Sequence, residues 1–275
     1  MPRLTAEEMS YDELTALVGW YVDMGVDLAI DDAPHDRFFA QKQVVPEATP
    51  ALVQAPRAAV PNMRAIPAAP PAPDQAIESA REIAARAQTL EELRAALETF
   101  EGCALKRTAQ RTVFADGNSL ARVMFVGEAP GGDEDRQGLP FVGRAGQLLD
   151  RMLASISLDR TKVYITNVVP WRPPGNRTPT PQETAICLPF IRRQIELVNP
   201  QVLVCLGASS AQTLLGVTEG ILKARGRWRD APLGPGASKI RALATLHPAY
   251  LLRSPAQKRL AWRDLQMIAA GLNRD

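Results

Sequence analysis

Cysteine, histidine and long apolar runs are all scarce in this chain, and each shortage removes a class of function. The three cysteines, Cys103, Cys187 and Cys205, include no close pair, so a disulfide framework is not expected. Histidine occurs only at His35 and His247. A zinc-dependent base deaminase needs His-x-Glu and Pro-Cys-x-x-Cys, and both are missing. No apolar run approaches the roughly 20 residues that span a bilayer, and MPRLTAEEMS lacks the basic-then-apolar order of a signal peptide. The expectation is a cytoplasmic protein with no membrane contact. Neither Gly-x-Gly-x-x-Gly nor Gly-Lys-Ser/Thr is present, which argues against a nucleotide-binding α/β module.

What is present divides by charge. The net charge of +2 hides five basic and eleven acidic residues in 1–75, against 27 basic and 19 acidic residues in 76–275. A basic body behind an acidic leader suits a polyanionic partner, although a merely soluble basic domain has the same balance. Within the leader, 1–44, an amphipathic helix is expected over 10–30. Ser10 and Glu13 have capping-box spacing, and Leu14, Leu17, Val18, Tyr21 and Met24 keep the helical period. Such a helix either packs back on the body or binds a protein partner that the sequence does not identify. Residues 45–75 hold eight of the 23 prolines and read as an extended, semi-rigid linker. The folded body is then 76–275.

That body alternates strands with helices. Apolar strands are expected at Arg122–Val126, Val163–Val168, Val202–Leu206 and Ile240–Leu246. Helices are expected within 76–100 and over about 144–157, 181–198, 208–216 and 255–271. Thr89 with Glu92, and Thr180 with Pro181 and Glu183, are helix starts. This order predicts an α/β fold, a three-layer α/β/α sandwich around a four-stranded parallel sheet. Gly127–Gly131, Asn167, Gly207–Ser210 and His247 then lie at the carboxyl ends of successive strands, the edge where open α/β sheets bind ligands. Asp133, Glu134 and Asp135 could hold a metal, but an acidic run at a helix N-terminus is the commoner arrangement. No metal is expected.

Three longer segments narrow the reading. GEAPGGDEDRQGLPFVGRAGQLLDRML, YITNVVPWRPPGNRTPTPQE and HPAYLLRSP together resemble the family 4 uracil-DNA glycosylases, over about residues 100–270. The resemblance implies a monofunctional hydrolase that cuts the N-glycosidic bond of uracil in DNA by base flipping. Other deaminated or damaged bases are further candidate substrates. By the same resemblance, Gly127, Ala129, Phe141, Asn167 and His247 form the base pocket. Phe141 stacks on the flipped ring, Asn167 reads its edge, and His247 donates to O2 as negative charge develops there. Glu128 and Glu134 match acidic catalytic positions, one holding water and the other shaping the loop. Arg177, Ser209, Ser210, Leu251, Leu252 and Arg253 would meet the DNA, with Leu251 and Leu252 as the wedge that fills the vacated stack. No lysine occupies a matched pocket position, so lyase chemistry is not expected, and the active species is expected to be a monomer.

The chain departs from that family at Ala129, where better-studied relatives have an aspartate, so electrostatic help is expected there rather than a strong general base. It departs again in its cysteines. The family commonly holds an iron–sulfur cluster on four cysteines. Cys103 and Cys187 match two of those positions, but the other two are Phe100 and Trp171. Four thiolates are the usual requirement, so no cluster is expected and apolar packing takes its place. The competing functional class is a non-catalytic sensor that binds uracil or abasic sites in DNA without cutting.

Overall fold

In a computed structural model, residues 73–232 and 240–273 are described, together with Thr15. The leader helix and almost all of the Pro/Ala-rich linker lie outside the described residues. The chain divides into two units, Met1–Arg64 and Ala65–Asp275, and the second carries the sheet with its covering helices.

The central strands are β2 (Val123–Gly127), β3 (Tyr164–Asn167), β4 (Val202–Leu206) and β6 (Ile240–Thr245). They pair in parallel in the order β3-β2-β4-β6. Every residue of VMFVG and VLVCL is buried, as expected for strands covered on both faces. The sheet is larger than the four strands expected. β1 (Asp116–Gly117) and β5 (Trp228–Ala231) add antiparallel edges to β3 and β6, giving six mixed strands. Two-residue β1 is too short to show a period-2 pattern. β5 is only partly buried and carries Arg229 and Asp230, so neither announces itself as an apolar run.

Alternation along the strands sends side chains into two cores. Met124, Val126, Leu203 and Cys205 face one layer, built by α1 (Pro73–Arg86), α2 (Leu90–Thr99), α5 (Pro181–Val198) and α6 (Ala208–Leu215). Val123, Phe125, Val202 and Val204 face the other, built by α4 (Arg144–Ala154), α8 (Pro248–Arg253) and α9 (Lys258–Leu272). Short helices α3 (Gly132–Gln137) and α7 (Ile221–Ala224) complete the set. The caps predicted at Thr89 and Thr180 form, and the one at Ser10 lies outside the described residues. Thr89 accepts from the Glu92 amide, and Thr180 and Glu183 make a reciprocal capping box. Pro255–Gln257 forms a separate 3-10 turn, so α9 begins at Lys258.

Strand order fixes where a ligand binds. From β2 the chain moves to β3 on one side, then returns to β4 on the other. The loops leaving these strands diverge, and the crevice they leave lies at the carboxyl edge of the sheet. Among the described residues, no helix is long and apolar enough to cross a membrane.

Candidate active site

A cleft of about 1190 Å³ opens at this edge, lined among others by Glu128, Ala129, Phe141, Asn167, Ser209 and His247. Gly127 and Asn167 are paired across β2 and β3. A Cβ on Gly127 would lie 2.4 Å from Asn167 Oδ1 and 2.6 Å from Phe141 Cζ. Glycine there is what lets the amide and the ring approach the strand end. Asn167 is only 4% exposed, and its Oδ1 has no hydrogen-bond partner among the described residues. An open buried acceptor costs about 1–3 kcal/mol, which marks it as prepared for a donor that arrives with a ligand.

Glu128 follows one residue after the strand pairing. Its Oε1 is likewise buried without a partner. Burial raises its pKa above the ordinary carboxylate range, while the nearby hydroxyls of Ser209 and Thr178 pull part of the way back. His247 caps α8, with Nδ1 accepting from the Ala249 amide at 3.1 Å. Accepting at Nδ1 places the ring proton on Nε2. Burial, reinforced by the positive charge of Arg253, lowers the imidazole pKa to about 4, so at neutral pH the ring is an uncharged donor. The Phe141 ring lies beside it, with centroids 5.6 Å apart.

Glu134 faces the backbone. Oε1 accepts from the amides of Val142 and Gly143, each at 3.0 Å, and Oε2 accepts from Gly131 at 3.1 Å. A carboxylate with three backbone donors is a loop tie. Glu134→Ala is therefore expected to destabilise the fold by roughly 2–4 kcal/mol, with Glu134→Gln losing less. Denaturant unfolding measures this, and wild-type stability in the alanine variant would contradict it.

The remaining predicted residues separate by burial. Ser209 lines the cleft, but Ser210 is fully buried and bonds the Gly207 carbonyl, so it is not a surface contact. Leu251 is 1% exposed and packs in the α4–α9 core. The short helix α8 points Pro248 and Leu251 inward and leaves Leu252 39% exposed. Of the two leucines expected to form a wedge, only Leu252 is open to a partner, because Leu251 is committed to the core. Arg253 lies at the cleft rim. Arg177 also lines it, but grips Glu183 through two bonds of 2.8 and 2.7 Å. Thr178, beside Glu128, was not anticipated, since a threonine in a proline-rich turn carries no distinctive signal.

With this geometry, comparison with known proteins is decisive. A family model described as the uracil DNA glycosylase superfamily matches residues 114–266. The chain belongs to the uracil DNA glycosylase superfamily. It is 43% identical over 167 residues to the type-4 uracil-DNA glycosylase of Thermotoga maritima, covering 60% of this chain and 84% of that one. The type-4 enzyme of Archaeoglobus fulgidus is 44% identical over 155 residues, covering 56% and 78%. That of Pyrobaculum aerophilum is 36% identical over 186 residues, covering 66% and 94%.

Two of the four cysteine positions that the resemblance assigns to an iron–sulfur cluster are Phe100 and Trp171 in this superfamily member. Phe100 sets its ring edge-on to Phe190, with centroids 5.1 Å apart. Trp171 is buried, with its indole N–H on Thr112 Oγ1 at 3.1 Å. Both rings lie in the same core as Cys103 and Cys187. These two buried thiols share a hydrogen bond that lowers the pKa of Cys103 and raises that of Cys187, while burial pushes both up. Among the described residues, no group of three or more His, Cys, Asp or Glu could hold a metal.

Proposed function

We propose that this chain hydrolyses the N-glycosidic bond of uracil in DNA, releasing the base and leaving an abasic site. The observation that carries the reading is the pair of orphaned acceptors, Asn167 Oδ1 and Glu128 Oε1, in one cleft with a neutral His247 donor. Uracil presents N3–H as donor and O2 and O4 as acceptors. Asn167 Oδ1 takes the N3 proton while its amide nitrogen donates to O4. His247 Nε2–H donates to O2, where charge gathers as the bond breaks, and a preformed donor there lowers the barrier most. Phe141 supports the ring face, and stacking of this kind contributes about 1–3 kcal/mol per base.

Glu128 is the carboxylate left for the water. Its free Oε1 accepts a proton of the nucleophile, and its charge favours the oxocarbenium sugar. Glu134 is committed to the backbone. The active form is the ionised Glu128, so the rate falls as pH drops through its raised pKa. His247 stays neutral down to about pH 4 and adds no limb above that. A pH–rate profile should show an acid limb above the ordinary carboxylate range that vanishes in Glu128→Gln. Persistence of the limb in that variant would sink this assignment.

At the rim, Leu252, Arg253, Ser209 and Arg177 face the DNA, with Leu252 filling the vacated stack. All of these residues come from one chain, so a monomer is sufficient for the reaction. No cluster is required, and aerobically purified protein should lack iron-type visible absorption; its presence would contradict this. A gel assay on a duplex with a single uracil tests the function. Strand scission after alkali, dependent on enzyme and uracil, is the expected result. Specific binding without scission would favour the sensor.

A further inference from the structure

The segment that carries Phe141 is held in an unusual way. Phe141 has a left-handed backbone, φ +56°, a conformation that a bulky residue adopts only under constraint. Glu134 ties down the two residues that follow Phe141, accepting from the N–H groups of Val142 and Gly143. The carbonyls of Pro140 and of Phe141 itself meet Arg160, in the turn before β3. Arg160 Nη1 donates to the Pro140 carbonyl at 3.2 Å, and Nη2 donates to the Phe141 carbonyl. The guanidinium is itself aimed by Asp150, at 2.8 Å from Nε, and by Asp116, at 2.5 Å from Nη1. A Cβ on Gly146 would sit 1.6 Å from the same Phe141 oxygen, so only glycine leaves it room.

We propose that Arg160 is a positioning residue for excision: its planar fork holds the Pro140 and Phe141 carbonyls and so sets the Phe141 ring for the base. The inference rests on Phe141 being the base's stacking partner. Arg160 is not among the residues lining the cleft, so its effect on the chemistry passes through Phe141. A guanidinium suits this task because its rigid fork engages two carbonyls and two carboxylates at once, which an ammonium does not.

A double-mutant cycle tests this, read as single-turnover excision of uracil from duplex DNA. Arg160→Ala should slow excision about ten- to a hundredfold, a typical range for a misplaced contact. Arg160→Lys should fall between it and wild type. In a Phe141→Ala background, the Arg160 substitution should cost less than about twofold more, with affinity for undamaged duplex unchanged. Losses that multiply, or a lowered melting temperature with a wild-type rate, would overturn the proposal. If Arg160→Ala does not fold, the cycle runs with Arg160→Lys. A loss that disappears without Phe141 then supports the proposal, and a persistent or absent loss overturns it. A full rate in Phe141→Ala alone overturns the stacking reading and the proposal with it. That outcome is told apart because it needs no change at Arg160.

Discussion

His247→Ala should slow uracil excision by about 10²–10³-fold, the usual cost of losing one donor aimed at developing charge. The expectation rests on where the imidazole proton lies. Nδ1 is occupied by the Ala249 amide, so Nε2 carries the proton, and His247 lines the cleft. With a pKa near 4, the ring donates without carrying charge at neutral pH. The loss should therefore appear in the chemical step and change little between pH 6 and 8. Single-turnover rates set against DNA affinity separate these quantities. A variant that keeps its rate and loses only affinity would assign His247 to DNA binding instead.

Asn167→Asp should be the other severe change, on the order of 10⁴-fold in kcat/KM for uracil. Sites built around a hydrogen-bond pair reject mismatched partners on this scale. The amide sits 4% exposed against Gly127, with no room to withdraw. A carboxylate there offers two acceptors, so O4 of uracil loses its donor and faces negative charge instead. Steady-state kinetics on a uracil duplex checks this. A loss of less than about tenfold would mean that Asn167 does not read the base edge.

How much of the fold and site is legible in the sequence depends on the kind of signal each feature leaves. The central strands are buried on both faces and read as apolar runs, and Thr89 and Thr180 announce helices through local bonds. Edge strands β1 and β5 escape notice because length and half-burial erase the pattern. The residues at the strand ends, Glu128, Asn167 and His247, are found together because topology brings carboxyl ends to one place. Burial is harder. Ser210 and Leu251 have neighbours of the same type, Ser209 and Leu252, and only the helix phase decides which of each pair faces out. The two ties on the Phe141 loop span 8 and 19 residues, and no local pattern encodes a side chain that bonds a distant backbone. The missing cluster ligands are visible as Phe100 and Trp171. The partners of those two rings, Phe190 and Thr112, are not.

The central claim is that the chain breaks a glycosidic bond. Its most direct test is recovery of the free base from duplex DNA with one uracil, by chromatography and mass spectrometry, in molar balance with alkali-labile sites. The expected result is free uracil equal to abasic sites with wild-type protein, none from the matched thymine duplex, and a slow trickle with His247→Ala. Tight binding of the uracil duplex with no base released would contradict it and leave a sensor of damage in place of an enzyme.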